Sequence, residues 1–169
     1  TALKPERATL YNVGVMWSES YRGFLKSVGI TVDAYYNSVR DKIVALPTMY
    51  IWRMMNFGKA DIYGVDVNLS ARIGIFRRVA LLADANYSWQ RAMDVTDSSA
   101  KNYRDQLPYT PEHSGNLSFT VENPILNVSY MLSAVGERYM LPQNTVYNRM
   151  AGYFEHSFSL NKEIPVKNS

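Results

Sequence analysis

Cysteine is absent from this chain of 169 residues. Disulfide scaffolds, thiolate zinc sites and cysteine nucleophiles are therefore excluded within it. Long hydrophobic runs are also missing, because Val79–Ala83 is among the longest and a membrane-spanning helix needs about 20 apolar residues. Charge of either sign is limited, since 18 basic and 15 acidic residues give a formal net charge of +3. This mild excess does not argue for nucleic acid as a partner.

The strongest signal in the sequence is an alternation of apolar and polar residues with a period of two. Tyr63, Val65 and Val67, for example, alternate with Gly64 and Asp66. No long window repeats apolar residues at the spacing of a helix. The pattern therefore predicts an all-β chain with about seven long, half-buried strands. The segments are Tyr11–Trp17, Val28–Asn37, Ile62–Ala71, Leu81–Gln90, Ser114–Val121, Leu126–Val135 and Ala151–Leu160.

The connections between these segments are alternately short and long. In an antiparallel up-and-down meander, this order places every tight turn at one rim of the sheet and every long loop at the other. Outer-membrane barrels have this arrangement, with tight periplasmic turns and long external loops. The short connections are Ser18–Gly23, Gly74–Arg78 and Glu122–Pro124, and the long ones are Arg40–Lys59, Arg91–Pro111 and Gly136–Asn148.

Segment length and the placement of aromatic residues favour a membrane barrel over a soluble sheet. Most segments are about as long as the roughly 9 to 11 residues of a tilted spanning strand, whereas typical soluble strands have about 5 to 6. Amphipathic rings at both ends of an apolar band are typical of an interfacial girdle. Here Tyr11, Tyr36, Tyr63, Tyr87 and Trp89 lie near the long-loop ends, and Trp17 lies near a short-turn end.

The two faces of the sheet are predicted to meet different surroundings. Four Asn residues begin Asn-x-Ser patterns, but each lies within a strand rather than in a surface loop, so a polar lumen lining is favoured over glycosylation. The apolar positions of the opposite face are predicted to meet lipid. The lumen-facing set is Asn68, Asn86, Asn116 and Asn127, and the lipid-facing set is Val15, Val32, Val67, Ala85 and Leu117.

One long connection is unusually rich in apolar and aromatic residues. Pro47–Asn56 combines Trp, Tyr, Met and Arg, which are enriched at contact surfaces. These side chains either bind a ligand or partner at the outer mouth or pack against neighbouring loops. The candidate ligand contacts are Tyr50, Trp52, Arg53 and Met54, together with Arg138 and Tyr139 of the third long connection.

Other classes of protein remain open from the residues alone. A small outer-membrane barrel with a structural or adhesive role needs an even number of strands, and a soluble β-sandwich binding module also shows alternation. An enzyme is not predicted, because no catalytic motif is present. Neither Glu112–His113 nor Glu155–His156 can aim adjacent side chains at one metal ion in an extended strand. No catalytic, cofactor-binding or metal-binding residue is assigned, and no cofactor is expected.

Four ordered blocks resemble segments of TonB-dependent outer-membrane receptors. Leu3–Gly14 resembles their "LKPE…yElG" segment, and Ala34–Ile43 resembles the strand end "yYndikD.I". Asn56–Asp66 resembles "N.gka..yGvE", and Leu107–Leu117 resembles "lp.tPeh..nl". The order and spacing of the blocks cover most of the chain.

The resemblance implies a fold and a role beyond what the spacing indicates. Such receptors are 22-strand transmembrane barrels with an N-terminal plug. They import siderophores and other iron chelates, haem, cobalamin or glycans across the outer membrane of Gram-negative bacteria, and iron uptake is a common role. The chain, residues 1–169, would be a partial barrel of about strands 14 to 20, without the plug or the last strands. Its partners would be outer-membrane lipid, the remaining barrel and plug, the TonB complex and an unidentified ligand. Tyr11–Trp17 and Ala151–Leu160 would form the edges of the fragment.

Overall fold

The computed structural model describes residues 5–47 and 52–162, and for residues 42–47 and 52–57 it describes the backbone alone. The chain forms nine strands and one short 3-10 turn, Val146–Asn148, within these ranges. The strands are β1 Arg7–Ser20, β2 Leu25–Pro47, β3 Trp52–Phe76, β4 Val79–Asp94, β5 His113–Glu122, β6 Asn127–Val135, β7 Arg138–Tyr139, β8 Arg149–Met150 and β9 Tyr153–Asn161.

Seven of the strands form one sheet in the order β1-β2-β3-β4-β5-β6-β9, and every neighbouring pair is antiparallel. This arrangement confirms the predicted all-β meander. β7 and β8 form a separate two-stranded ribbon between β6 and β9. A single sheet of this kind lacks the two packed layers of a β-sandwich. The described strands also leave β1 and β9 with a partner on one side only.

The prediction that Arg40–Lys59 is a long loop is wrong. β2 continues to Pro47 and β3 starts at Trp52, and the two strands pair as a ribbon from Arg40 with Lys59 to Pro47 with Trp52. β-Branched, aromatic and other apolar residues dominate this stretch, and such residues favour strands. Pairing also satisfies the backbone groups that a loop would leave to solvent. β2 and β3 have 23 and 25 residues, more than the about 9 to 11 that span a membrane.

The other two long connections also contain more structure than predicted. β4 continues to Asp94, so Arg91 to Asp94 belong to a strand. The connection between β6 and β9 contains β7 and β8, and Arg138 and Tyr139 therefore lie in a strand rather than in an irregular loop. The short connections remain tight, with only Arg77 and Arg78 between β3 and β4.

The pairing register defines the two faces of the sheet, because directly opposed residues point to the same side. Val15 pairs with Val32, and Val32 pairs with Val67. The face that carries this row is called the apolar face below, and Ala85 and Leu117 belong to it. Asn68 pairs with Asn86 and Asn86 with Asn116 on the opposite side, the polar face, which also carries Asn127.

The described part of the chain has little buried core. The apolar face carries large side chains that no second layer covers, and Val15 is 70% and Phe158 76% exposed. Buried apolar residues collect near the rim that carries the long connections, where Ala60, Ala92 and Leu107 pack together with Ile62. No helix in the described ranges is long and apolar enough to cross a membrane.

Candidate ligand-contact surface

A row of amide side chains crosses the middle of the polar face. Asn68, Asn86 and Asn116 lie side by side on β3, β4 and β5. Asn86 Nδ2 donates a hydrogen bond to Asn116 Oδ1 at 2.6 Å. The row borders a hollow of about 450 Å³ that is lined by polar side chains and by the apolar residues Ala134 and Val135. Further polar residues of the lining are Asp33, Asp66, Ser88, Ser114 and Ser133.

Two carboxylates lie in this hollow on adjacent strands. Asp33 is directly opposite Asp66, and Ser88 Oγ donates a hydrogen bond to Asp66 Oδ1 at 2.5 Å. Hydroxyl, amide and carboxylate groups together present donors and acceptors to a polar solute. These groups can bind water or a hydrophilic ligand.

Asn127, the fourth residue of the expected lining, has a different setting. It lies at the start of β6, and its Oδ1 accepts a hydrogen bond from the backbone N–H of Asn123 at 3.2 Å. Asn123 in turn accepts bonds from the N–H groups of Ile125 and Leu126. Asn127 thus helps to form the tight turn at the short-connection rim and does not join the amide row.

In the structure, the second long connection spans residues 95–112 and the third spans residues 136–152. The two are together called the rim platform below. Asp94, the last residue of β4, directly precedes the platform and is only 6% exposed. One carboxylate oxygen of Asp94 accepts bonds from the N–H and the hydroxyl of Thr96, and the other accepts from Asn102 Nδ2. Thr96 Oγ1 also accepts from the Lys59 N–H at 3.0 Å. These bonds fasten the second connection to β3 and to the end of β4.

The second connection then pairs with the part of β4 that extends beyond β5. Leu107 N–H donates to the Ala92 carbonyl at 2.7 Å, and Met93 bridges Gln106. Leu107 is 4% exposed and packs against Ala60 and Ala92, which occupy polar-face positions of their strands. The connection therefore covers the end of the polar face near the long-connection rim and does not extend freely from that rim.

The third connection is fixed to the second by Asn144. Its backbone N–H donates to Asp105 Oδ2 at 2.9 Å, and its side-chain amide makes two bonds to the backbone of Gln106. Tyr109 N–H donates to the Tyr139 carbonyl at 2.8 Å. Because the two connections share these bonds, the rim platform is one ordered surface.

Tyr139 and Arg138, both candidates from the sequence, occupy different places on the platform. Tyr139 lines a cavity of about 310 Å³. The guanidinium of Arg138 lies over the Tyr153 ring, 5.3 Å from its centroid, in a cation–π contact. The other residues of the cavity lining are Arg91, Arg104, Asp105, Gln106, Glu112, His113, Glu137 and Asn144.

The remaining candidates fall outside what the structure describes. Tyr50 lies between the two described ranges. Trp52, Arg53 and Met54 begin β3, and their side chains lie outside the described part of the molecule. Their role stays a prediction.

One carboxylate of the platform has a perturbed pKa. Hydrogen bonds from the Ser99 hydroxyl and backbone N–H hold the pKa of the Asp97 carboxyl below its ordinary value of 3.8. These bonds favour the charged form. Asp97 is therefore ionised at neutral pH and closes a local turn.

The apolar face ends in aromatic side chains near the platform rim. Tyr11 and Tyr36 stack with ring centroids 6.5 Å apart, and Tyr63 meets Trp89 edge-on at 5.8 Å. The two histidines lie on this face as well, and each contacts a tyrosine. Tyr87 Oη is 2.7 Å from His113 Nδ1, and Tyr130 Oη is 2.9 Å from His156 Nδ1. The rings near the platform rim, Tyr11, Tyr36, Tyr63 and Trp89, match a membrane–water interface.

Comparison with known protein families agrees with this geometry. The model of the family described as "TonB dependent receptor-like, beta-barrel" matches residues 1–168. The chain belongs to the TonB-dependent receptor-like β-barrel family. No curated protein matched the chain. Members of the family are outer-membrane transport receptors rather than enzymes.

The sequence analysis did not identify several residues that organise the rim platform. Asp94, Gln106 and Asn144 organise the two connections, yet each is a common residue of turns and strand ends. The only local signal was Asp94 followed two residues later by Thr96, which is the spacing of an Asx turn. The partners of Asn144 lie about 40 residues away in sequence, and no local pattern marks a contact of that range.

Proposed function

We propose that this chain forms part of the wall and outer rim of a larger receptor barrel that binds a scarce ligand and imports it with energy from the TonB complex. The ligand is an iron siderophore, haem, cobalamin or a glycan. The protein resides in the outer membrane of a Gram-negative bacterium and encloses a plug domain. Residues 1–169 are then a partial barrel domain.

The ordered rim platform carries this proposal. Asn144, Asp105 and Gln106 connect two long connections that would otherwise move independently. A rigid surface loses less conformational entropy when it binds a ligand. The polar hollow lies on the same sheet below the platform and offers a hydrophilic route along the inner wall.

The two edge strands support membership of a larger barrel. β1 and β9 each have one described partner, and an unpaired strand edge in lipid costs several kcal/mol for each unsatisfied group. Pairing of β1 and β9 with further strands removes that cost. Under this proposal, the apolar face meets lipid through Val15, Val32 and Val67, and the polar face meets the lumen and plug.

Tyr139 and Arg138 are proposed as ligand contacts, together with Trp52, Arg53 and Met54 at the start of β3 and with Tyr50. Tyr139 lines the platform cavity, and aromatic and guanidinium groups are enriched in contact surfaces. Mixed charges in the cavity lining, such as Arg104 and Glu137, suit a polar or charged ligand.

Uptake by cells that carry the full-length receptor tests the function. Radiolabelled ferric siderophore, haem, cobalamin and an oligosaccharide are supplied in turn, with and without a protonophore. The proposal expects saturable uptake of one class, which the protonophore abolishes while surface binding persists. Uptake that continues without proton-motive force, or the absence of binding for all four classes, contradicts it.

Substitution in the receptor separates the ligand contacts from the fold. Tyr139→Ala is expected to weaken ligand binding about tenfold, the loss of about 1.4 kcal/mol of contact energy. Tyr21→Ala, at the opposite rim, is the matched aromatic control and should leave binding unchanged. Equal effects of the two variants would contradict a ligand contact at Tyr139.

A further inference from the structure

Three cations form a row on the apolar face beyond its aromatic residues. Arg7 pairs with Arg40, and Arg40 pairs with Lys59, on the adjacent strands β1, β2 and β3. All three residues are exposed. Adjacent strands are about 4.8 Å apart, so the row spans about 10 Å. The three residues are called the cationic row below.

The cationic row is electrostatically unfavourable as it stands. Like charges directly opposite each other in a sheet destabilise it. The ion pairs Arg72–Glu122 and Arg149–Glu137 do not involve the row. Along β3, the next residue on the same face after Lys59 is Asp61, which lies towards the aromatic residues. Asp61 accepts a hydrogen bond from Ser38 Oγ at 3.0 Å. An anion bound across the row would offset the repulsion.

The acidic residues next to the row in sequence are Glu6 and Asp41. Glu6 and Asp41 each take part in interactions already. Asp41 also has a φ of 55°, so the chain departs from regular strand geometry just after Arg40. The row itself lies before this irregularity, where the register is continuous from Arg7 to Ser20 on β1.

The order of residues along the strands places the row at a definite height. The tyrosine row Tyr11, Tyr36 and Tyr63 lies four residues from the cationic row on each strand. Four residues of strand rise about 13 Å, or about 10 Å along the membrane normal at a tilt of 35–45°. The polar layer outside the hydrocarbon is about 5 to 8 Å thick on each side. Long cationic side chains at this height reach the headgroup layer when the tyrosines lie at the hydrocarbon boundary.

We propose that Arg7, Arg40 and Lys59 form a binding site for the phosphate-bearing headgroup of an outer-leaflet membrane lipid. Charge complementarity identifies the occupant, because a phosphorylated headgroup supplies compact negative charge at the height of the row. Guanidinium groups of Arg7 and Arg40 make paired hydrogen bonds to phosphate oxygens. The site lies on the outer wall and is separate from the ligand surface of the rim platform.

Lipid binding to the full-length receptor in detergent tests this site. The receptor is titrated with bisphosphorylated lipid A in the presence of EDTA, which removes bridging metal ions, and the complex is counted by native mass spectrometry. The test variant carries Arg7→Gln, Arg40→Gln and Lys59→Gln. The control variant carries Arg22→Gln, Lys101→Gln and Lys162→Gln, which removes the same charge from scattered exposed positions.

The row is expected to contribute about fivefold in affinity for each cation. The test variant should therefore bind about 100-fold more weakly and lose most of its salt dependence, while the control variant should change by less than about threefold. Dephosphorylated lipid A should bind the unaltered receptor as weakly as the intact lipid binds the test variant. Arg40→Lys should retain most of the affinity.

Four results would overturn the proposal. They are unchanged affinity in the test variant, an equal loss in the control variant, equal binding of dephosphorylated lipid A, and saturation of the row by inorganic phosphate at the same concentration as lipid. A shift in heat-modifiable gel migration reports folding for each variant. The single variants Arg7→Gln and Arg40→Gln, each expected to weaken binding about fivefold, keep the test available if the triple variant misfolds. Ligand uptake is not the readout, so failure of this site leaves the proposed transport function untouched.

Discussion

Asn144 pairs with Gln106 through two hydrogen bonds that imitate a step of a β-ladder. Asn144 Oδ1 accepts from the Gln106 N–H at 2.7 Å, and Asn144 Nδ2 donates to the Gln106 carbonyl at 3.0 Å. A single side chain thus satisfies both backbone groups of a residue in another connection. This relationship makes the rim platform one unit, and it can be tested directly.

Asn144→Ala should separate the two connections of the platform. The backbone groups of Gln106 lose their partners, and a part-buried group left unpaired costs about 1 to 3 kcal/mol. The Gln106 amide should exchange hydrogen about 5 to 100 times faster in the full-length receptor. Asn161→Ala, an exposed change at the opposite rim, serves as the control. Unchanged protection of Gln106 in Asn144→Ala would show that the connections are ordered without this contact.

Gly58→Ala should disturb the start of the second connection. A Cβ at Gly58 would overlap Cγ2 of Thr96 and lie 2.9 Å from its Oγ1. Thr96 cannot move freely, because its hydroxyl bonds to Asp94 and Lys59. Overpacking of this kind costs about 1 to 3 kcal/mol, which thermal denaturation would record as a lower Tm. Thr96→Ser removes Cγ2, so the double variant Gly58→Ala with Thr96→Ser should recover part of the lost Tm. If the Tm does not recover, the strain caused by Gly58→Ala lies elsewhere.

Acid should loosen the turn that Asp97 closes. The folded pKa of Asp97 is lowered by its bonds from Ser99, so the bonds favour the folded turn above pH 3.8 and are lost as the pH falls through the lowered value. Titration of the Asp97 carboxyl by ¹³C NMR should give a pKa below 3.8, and Ser99→Gly should return it towards that value. If the Asp97 carboxyl has the same pKa in the unaltered chain and in Ser99→Gly, Ser99 is not the cause of the lowered pKa.

The side-chain alternation was readable from the sequence, and so was the meander. Val67 and Asn68 fall on opposite faces in the structure because a strand has a period of two, and the register follows from matching rows such as Val15, Val32 and Val67. The extension of β2 to Pro47 was missed, because that stretch is apolar without regular alternation. The platform was missed for another reason. Contacts such as Asn144 with Gln106 are made by ordinary turn residues far apart in sequence, and they depend on tertiary position.

A charge introduced at either of two adjacent positions of β3 should lower the free energy of unfolding in a bilayer by very different amounts. Val67→Lys places a cation on the apolar face and should cost about 2 to 4 kcal/mol of folding free energy near the membrane midplane. Asn68→Lys, one residue along, points to the polar face, where Asn68 is already exposed, and should cost less than about 1 kcal/mol. Urea unfolding of the full-length receptor in lipid vesicles compares the two. A larger cost for Asn68→Lys would reverse the proposed assignment of the faces.

The central claim is that this chain is a barrel wall with lipid on one face and the lumen on the other. The most direct test is the accessibility of spin labels on β3 to oxygen and to a water-soluble relaxation agent. The chain has no cysteine. A single cysteine introduced in turn at each position from Val65 to Ser70 is therefore the only residue of this chain that reacts with a thiol-specific spin label. In the full-length receptor in a bilayer, labels at Val65, Val67 and Leu69 should collide mainly with oxygen. Labels at Asp66, Asn68 and Ser70 should collide mainly with the water-soluble nickel complex. Uniform accessibility along the strand, or alternation of the opposite phase, would contradict the account.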